Sequence, residues 1–189
     1  MSSDAARWGT LANALTLSRA AAIPLLVLAI LNGVQLAAFA LFWWAVATDF
    51  ADGSLARRRG EESNLGGLLD HTTDALFCSV SLGALAWQGV VPAPLPFLVA
   101  LAFTHYTLDS KSLAGHPLRA SFLGRWNGIF YFVMIGIPVC RDALAIGWPG
   151  PGLVTAIGWA LVASTVVSMA DRAWALVSSR QPPPPPRRR

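Results

Sequence analysis

The chain has 189 residues, of which 54% are hydrophobic and only 13% charged, and its mean hydropathy is +0.52. A water-soluble domain of this length needs a polar outer face, and so apolar a chain cannot supply one; insertion in a bilayer is the economical reading. Runs such as Ala20 to Leu31 and Val34 to Ala47 are apolar all the way round, as membrane helices are, and the expected partners are lipids and small molecules rather than nucleic acid.

Gly, Pro and charged residues divide the sequence into six predicted spans, at about 13–32, 34–57, 66–89, 94–110, 122–146 and 152–177. Residues Met1 to Ala12 before the first span carry Asp4 and Arg7 but no signal-peptide core, so that span is expected to be retained. Backbone groups in lipid must be satisfied within a segment, and the alternation of a membrane barrel strand is absent. The expected fold is therefore all-α, an integral membrane bundle of six transmembrane helices over residues 1–180. The remaining stretch, 181–189, is a proline run ending in three arginines and is expected to be a disordered tail able to meet anionic lipid. Cys78 and Cys140 stand alone in apolar stretches and read as reduced small hydrophobes.

Basic residues set the expected orientation. Arg7, Arg19, Arg57 to Arg59, Lys111, Arg119, Arg125, Arg172, Arg180 and Arg187 to Arg189 fall on one side of such a bundle, and Arg141 falls on the other. The basic side, with both termini, is then cytoplasmic, which suits a multi-pass protein of the inner or plasma membrane. Trp87 and Trp148 lie near the outer ends of spans and Trp126 and Trp174 near the inner ones, whereas Trp43 and Trp44 lie deeper than an interfacial belt.

The second and third spans carry the chemistry. Asp49 and Asp52 are three residues apart and Asp70 and Asp74 four apart, so each pair shares a helix face at the cytoplasmic end. A tight turn between the spans brings the pairs together, and four facing carboxylates repel one another unless a cation holds them. Oxygen ligands without His or Cys point to magnesium or manganese, and magnesium commonly binds through carboxylates and substrate phosphates together, which implies a diphosphate substrate. Gly53 and Ala56 keep one face of the second span small enough for a phosphate or sugar to approach the backbone. Arg57 offers that face a guanidinium, and Gly66 and Gly67 repeat the small surface where the third span opens.

Taken with their spacings, Asp49, Asp52-Gly53, Ala56-Arg57, Gly66, Asp70 and Asp74 read D-x2-D-G-x2-A-R-x8-G-x3-D-x3-D. This resembles the signature of the CDP-alcohol phosphotransferase family at every fixed position, and Asn13, Thr16, Arg19 and Pro24 resemble the opening of the family's first span. The resemblance implies a six-helix bundle and a metal site, with two Mg2+ or Mn2+ ions, in which Asp49, Asp52 and Asp70 bind the ions. Asp74 would then help bind a second ion and serve as the base. It implies contacts to the CDP moiety from Asp52, Gly53, Ala56, Arg57 and Gly66, a donor such as CDP-diacylglycerol, an alcohol acceptor, release of CMP, and a homodimer.

For the acceptor, Lys111, Arg119 and Arg125 form a second basic cluster on the same side, suited to a phosphorylated alcohol. Ser121 to Arg125 resembles the Ser-x-x-Gly-Lys opening of the phosphatidylglycerophosphate synthase branch, which makes glycerol 3-phosphate the first expectation. The chain departs from that branch at Asn127-Gly128, so inositol phosphate and phosphatidylglycerol, the latter giving cardiolipin, stay open. His71 reads as a packing residue beside Asp70, His105 as a satisfied interior histidine and His116 as a loop residue. A membrane prenyltransferase also uses aspartates, magnesium and a diphosphate, and a cation transporter could bury the same acids. The unbroken Asp-Gly and Ala-Arg register and the short six-span chain speak against the first, and the second has no need for Arg57 to Arg59 beside the acids.

Overall fold

The computed structural model describes residues 10–59, 64–109 and 122–179. They form six helices and, among these residues, no strand: α1 (Leu11–Leu31), α2 (Gln35–Arg59), α3 (Asn64–Trp87), α4 (Pro94–Asp109), α5 (Phe122–Ala143) and α6 (Pro151–Ser179). Each lies within a few residues of an expected span. The expected tail, 181–189, lies outside the described residues.

Local chemistry sets the helix ends. The Thr10 side chain accepts from the backbone N–H of Asn13 at 3.1 Å and caps α1. The same helix closes at Gly33, whose φ of +66° places it in the left-handed region. There the N–H of Val34 reaches Ala29 O at 2.9 Å and that of Gly33 reaches Ile30 O at 3.1 Å, the paired bonds that satisfy the last carbonyls of a helix. Gly89 closes α3 in the same way, through Val90 to Leu85 and Gly89 to Ala86. The turn after α1 reaches α2 within three residues, Asn32 to Val34, and six residues, Gln88 to Ala93, connect α3 to α4.

Three segments, Leu11–Leu31, Leu123–Ala143 and Pro151–Trp174, are long and apolar enough to cross a membrane, and Pro94–His105 is a shorter apolar helix. The other two helices carry the aspartates. The surface is that of a protein solvated by lipid: Leu36 is 73% exposed, Phe50 82% and Phe97 71%. Exposed apolar area on this scale would be a liability in water and is the natural outer face of a bundle in hydrocarbon. Trp43 and Trp44 are half-exposed on this face.

Inside, α1 packs on α2 and α3, and α5 packs on α6. The α3–α4, α4–α6 and α2–α5 contacts join the two sets into one bundle. Phe42 of α2 lies against Gly136 of α5, where an added Cβ would sit 2.7 Å from the ring, so the glycine is what allows the close approach. Phe77 stacks on Phe132 with centroids 5.1 Å apart, and Leu26, Leu82, Leu95, Ile135 and Val154 are fully buried around them. This core holds the helix ends that carry polar side chains in fixed relation.

Candidate active site

The structure brings the four signature aspartates to one place. Asp49 and Asp52 project from α2, and Asp70 and Asp74 from α3. Carboxylate oxygens of Asp49, Asp70 and Asp74 all lie within 4.8 Å of one another, near enough for a single cation to bridge them. These are hard oxygen donors without a sulfur or imidazole ligand in the group, a set suited to Mg2+ or Mn2+. Asp52 is the most deeply set of the four, only 4% exposed, and is turned toward α1.

One side chain from α1 ties the group together. Arg19 has no exposed surface, and its guanidinium donates to Asp49 and Asp70, lies 3.2 Å from Asp52 Oδ2, and lies 3.1 Å from Asp74 Oδ1 without hydrogen-bond alignment. Thr16, one helical turn earlier, donates to Asp52 Oδ2 at 2.9 Å and shares its hydroxyl with Ala12 O at 3.1 Å. With Asn13, these residues form a buried polar stripe at intervals of three along a helix that is otherwise apolar but for Ser18. In the sequence Arg19 counts as one of the charges that orient the bundle and as part of the first span's family-like opening, without a role at the site. The structure instead places it in the interior, where a buried charge is tolerable only because it meets carboxylates. Its position inside an apolar span is the available signal, since ionisable groups there normally face a partner.

Gly53 follows Asp52 on α2. A Cβ there would meet only Arg57 Nη1, at an ordinary 3.5 Å, so helix packing does not require glycine at this position. The nearby Arg57 is exposed at the end of α2, and Gly66 is half-buried in the first turns of α3. Ala56 lies in α2 between Gly53 and Arg57. Lys111 and Arg119 lie outside the described residues, as does His116.

A second feature lies next to the acids. A cavity of about 290 Å³ opens among α3, α4, α5 and α6, lined by His71, His105, Arg125, Asn127, Tyr131 and Arg172 among others. His71 is the neighbour of Asp70 and packs on Phe103 with centroids 5.0 Å apart, which links the cavity wall to the acidic group through one residue. His105, expected to be a satisfied interior histidine, instead lines the cavity, and its Nδ1 is buried without a hydrogen-bond partner. Arg125 also lines it, together with Arg172 of α6, which in the sequence counts only as an orientation charge. Neutral hydrogen bonds hold the wall: Tyr131 donates to Thr165 at 2.9 Å, Thr165 to Leu161 O at 2.7 Å, and Ser164 to Asn127 at 2.7 Å.

Known proteins resemble this sequence. The profile of the CDP-alcohol phosphatidyltransferase family matches residues 9–170. The chain is 30% identical over 160 residues to a cardiolipin synthase (CMP-forming) of Streptomyces coelicolor, covering 80% of this chain and 73% of that protein. It is 32% identical over 123 residues to CDP-diacylglycerol–glycerol-3-phosphate 3-phosphatidyltransferase 2 of Arabidopsis thaliana, covering 62% of this chain and 50% of that one. It is 26% identical over 150 residues to phosphatidylinositol phosphate synthase of Corynebacterium glutamicum, covering 70% and 64%. The matches thus span less than two thirds of the Arabidopsis and Corynebacterium proteins. The aspartate signature, the six-helix bundle and the match across most of its length together establish that the chain belongs to the CDP-alcohol phosphatidyltransferase family.

Proposed function

We propose that this protein transfers a phosphatidyl group from CDP-diacylglycerol to a phosphate-bearing glycerol acceptor, glycerol 3-phosphate first, with release of CMP. The observation that carries this reading is the juxtaposition of the acidic group with a cavity that presents Arg125 and Arg172. Aspartates alone would serve any member of the family. Two guanidiniums beside them favour an acceptor that carries its own phosphate, because guanidinium and phosphate pair through charge-assisted bonds.

Asp49, Asp70 and Asp74, with Asp52 beside them, would hold Mg2+ or Mn2+, in the number of two that the family resemblance implies. A divalent cation bound there supplies charge to offset the diphosphate and stabilise departing CMP. The residues of the chain do the rest. Gly53 and Gly66 leave room for the cytidine diphosphate to lie against the helix backbone, and Arg57 approaches its phosphates. Arg125 and Arg172 fix the acceptor phosphate so that its free hydroxyl faces the donor, converting an encounter of two substrates into a single oriented complex. Asp74 accepts the hydroxyl proton as the acceptor oxygen bonds to the phosphatidyl phosphorus. The bond from that phosphorus to the CMP oxygen breaks, and CMP leaves with the electron pair. The site faces the cytoplasm and opens sideways to lipid, from which the diacylglycerol portion enters.

The Streptomyces relative supports a second reading, in which phosphatidylglycerol is the acceptor and cardiolipin the product. Its headgroup carries a phosphodiester that the same pair of arginines could meet. Purified protein in detergent, given CDP-diacylglycerol and either glycerol 3-phosphate, phosphatidylglycerol or inositol phosphate, separates the two by the acceptor that releases CMP. Release with glycerol 3-phosphate is the expected result. Release with phosphatidylglycerol alone replaces it by the second reading, and release with inositol phosphate alone rejects both.

A further inference from the structure

Arg19 makes more contacts with the acidic group than any topology signal requires. Its guanidinium reaches Asp49, Asp70 and Asp52 and lies 3.1 Å from Asp74 Oδ1, and its side chain is completely buried. The oxygens it engages on Asp49, Asp70 and Asp74 belong to the carboxylates that converge within 4.8 Å of one another. A lysine could place a point charge near one or two acids, but only a planar, delocalised fork reaches several carboxylates at once. We propose that Arg19 is the built-in counter-ion of the site, and that divalent cations bind these carboxylates in competition with its guanidinium. The inference rests on the metal-site reading under Proposed function and adds to it a residue that the aspartate signature does not contain.

Charge and geometry both lead to this. Four carboxylates carry up to four negative charges and Arg19 returns one, so the group keeps a strong attraction for further cations, moderated by the arginine. Like charges repel, so a divalent ion and a guanidinium that share oxygens raise each other's free energy. Arg19 Nε is buried with no hydrogen-bond partner, so the guanidinium is not locked in a saturated network and has a bond to gain by shifting. Thr16 would keep Asp52 in place during such a shift, because it donates to the same oxygen from the same helix. The benefit is a site whose acids stay together while metal exchanges, and whose metal affinity is held below what four unopposed carboxylates would give.

The test is Mn2+ binding to the full chain in detergent, followed by electron paramagnetic resonance of the free ion, alongside thermal unfolding with EDTA or with Mn2+. Arg19→Gln is expected to bind Mn2+ about tenfold more tightly than the wild type, because the competing charge is gone. Its unfolding temperature in EDTA should fall by roughly 10 °C and be largely restored by Mn2+, since the acids then lack any other cation. Arg19→Lys, which keeps the charge but not the fork, should fall between the two in both measurements, and it carries the test if Arg19→Gln cannot be purified. Equal or weaker Mn2+ binding in the variants, with the same loss of stability in EDTA and in Mn2+, would make Arg19 an ordinary structural cation and overturn the proposal. A wild type that binds no Mn2+ would overturn it together with the metal-site reading. Wild-type binding with unchanged variants would overturn the role of Arg19 alone.

Discussion

The two sides of the polar end are built on different principles. On the side of α1, α2 and α3, charge is concentrated: four aspartates meet around Arg19, and each position is fixed by ion pairs or by Thr16. On the side of α5 and α6 the polar groups are mostly neutral. They bond to one another as Tyr131 with Thr165 and Ser164 with Asn127, and a cavity is left open between the helices. The first side is dense with charge. The second is roomy and touches the acids through His71, the neighbour of Asp70. That division suits a family whose named relatives include a cardiolipin synthase, a glycerol-3-phosphate phosphatidyltransferase and a phosphatidylinositol phosphate synthase. On the proposed reading, the shared donor chemistry belongs to the acidic half and the choice of acceptor to the cavity.

The sharpest break in this comparison is Asp74→Asn. Amide replaces carboxylate at nearly the same size, so the bundle should stay folded while the hydroxyl proton loses its acceptor. Transfer should drop by about 10²- to 10⁴-fold, measured as CMP release, with CDP-diacylglycerol still bound. Retained turnover would remove Asp74 from the role of base.

Across the divide, Arg125→Ala and Arg172→Ala should raise the acceptor KM by about 10- to 100-fold each, the worth of a charged hydrogen bond, and leave the donor KM nearly unchanged. A donor KM that rises in step would mean that the two halves are not separable in this way. Thr16→Val tests the dense side more gently. Removing the hydroxyl deprives buried Asp52 of a donor and should cost about 1–3 kcal/mol of stability, seen as a lower unfolding temperature. Tyr131→Phe, its counterpart in the open half, removes one neutral interhelical bond and should cost only about 0.6 kcal/mol. Similar losses for the two would erase the contrast between charged and neutral seams.

Much of this arrangement is legible in the amino-acid sequence. Six apolar runs broken by Gly, Pro and charge locate six helices, because a bilayer imposes both helix length and continuous apolarity. The spacing of Asp49, Asp52, Asp70 and Asp74 predicts two acid pairs on facing helices, and they do meet. Less legible is what lies between them. By charge alone Arg19 is one more basic residue on the side expected to be cytoplasmic, although its depth in α1 decides its partners. His105 and Arg172 fall far from the signature along the chain, and only the packing of α4, α5 and α6 brings them to one cavity. Long-range packing of this kind leaves no local period in the chain. Gly33 and Gly89 show the reverse case: turns set by local backbone preference sit close to the breaks between the expected spans.

The most direct test of the proposed chemistry is CMP release from CDP-diacylglycerol by the purified chain, with glycerol 3-phosphate as acceptor, in Mg2+ or Mn2+ and again in EDTA. The expected result is release that needs the divalent ion and the acceptor together and is lost in Asp49→Ala. Release that persists in EDTA, or that Asp49→Ala leaves intact, would contradict it by detaching the acidic group from the chemistry.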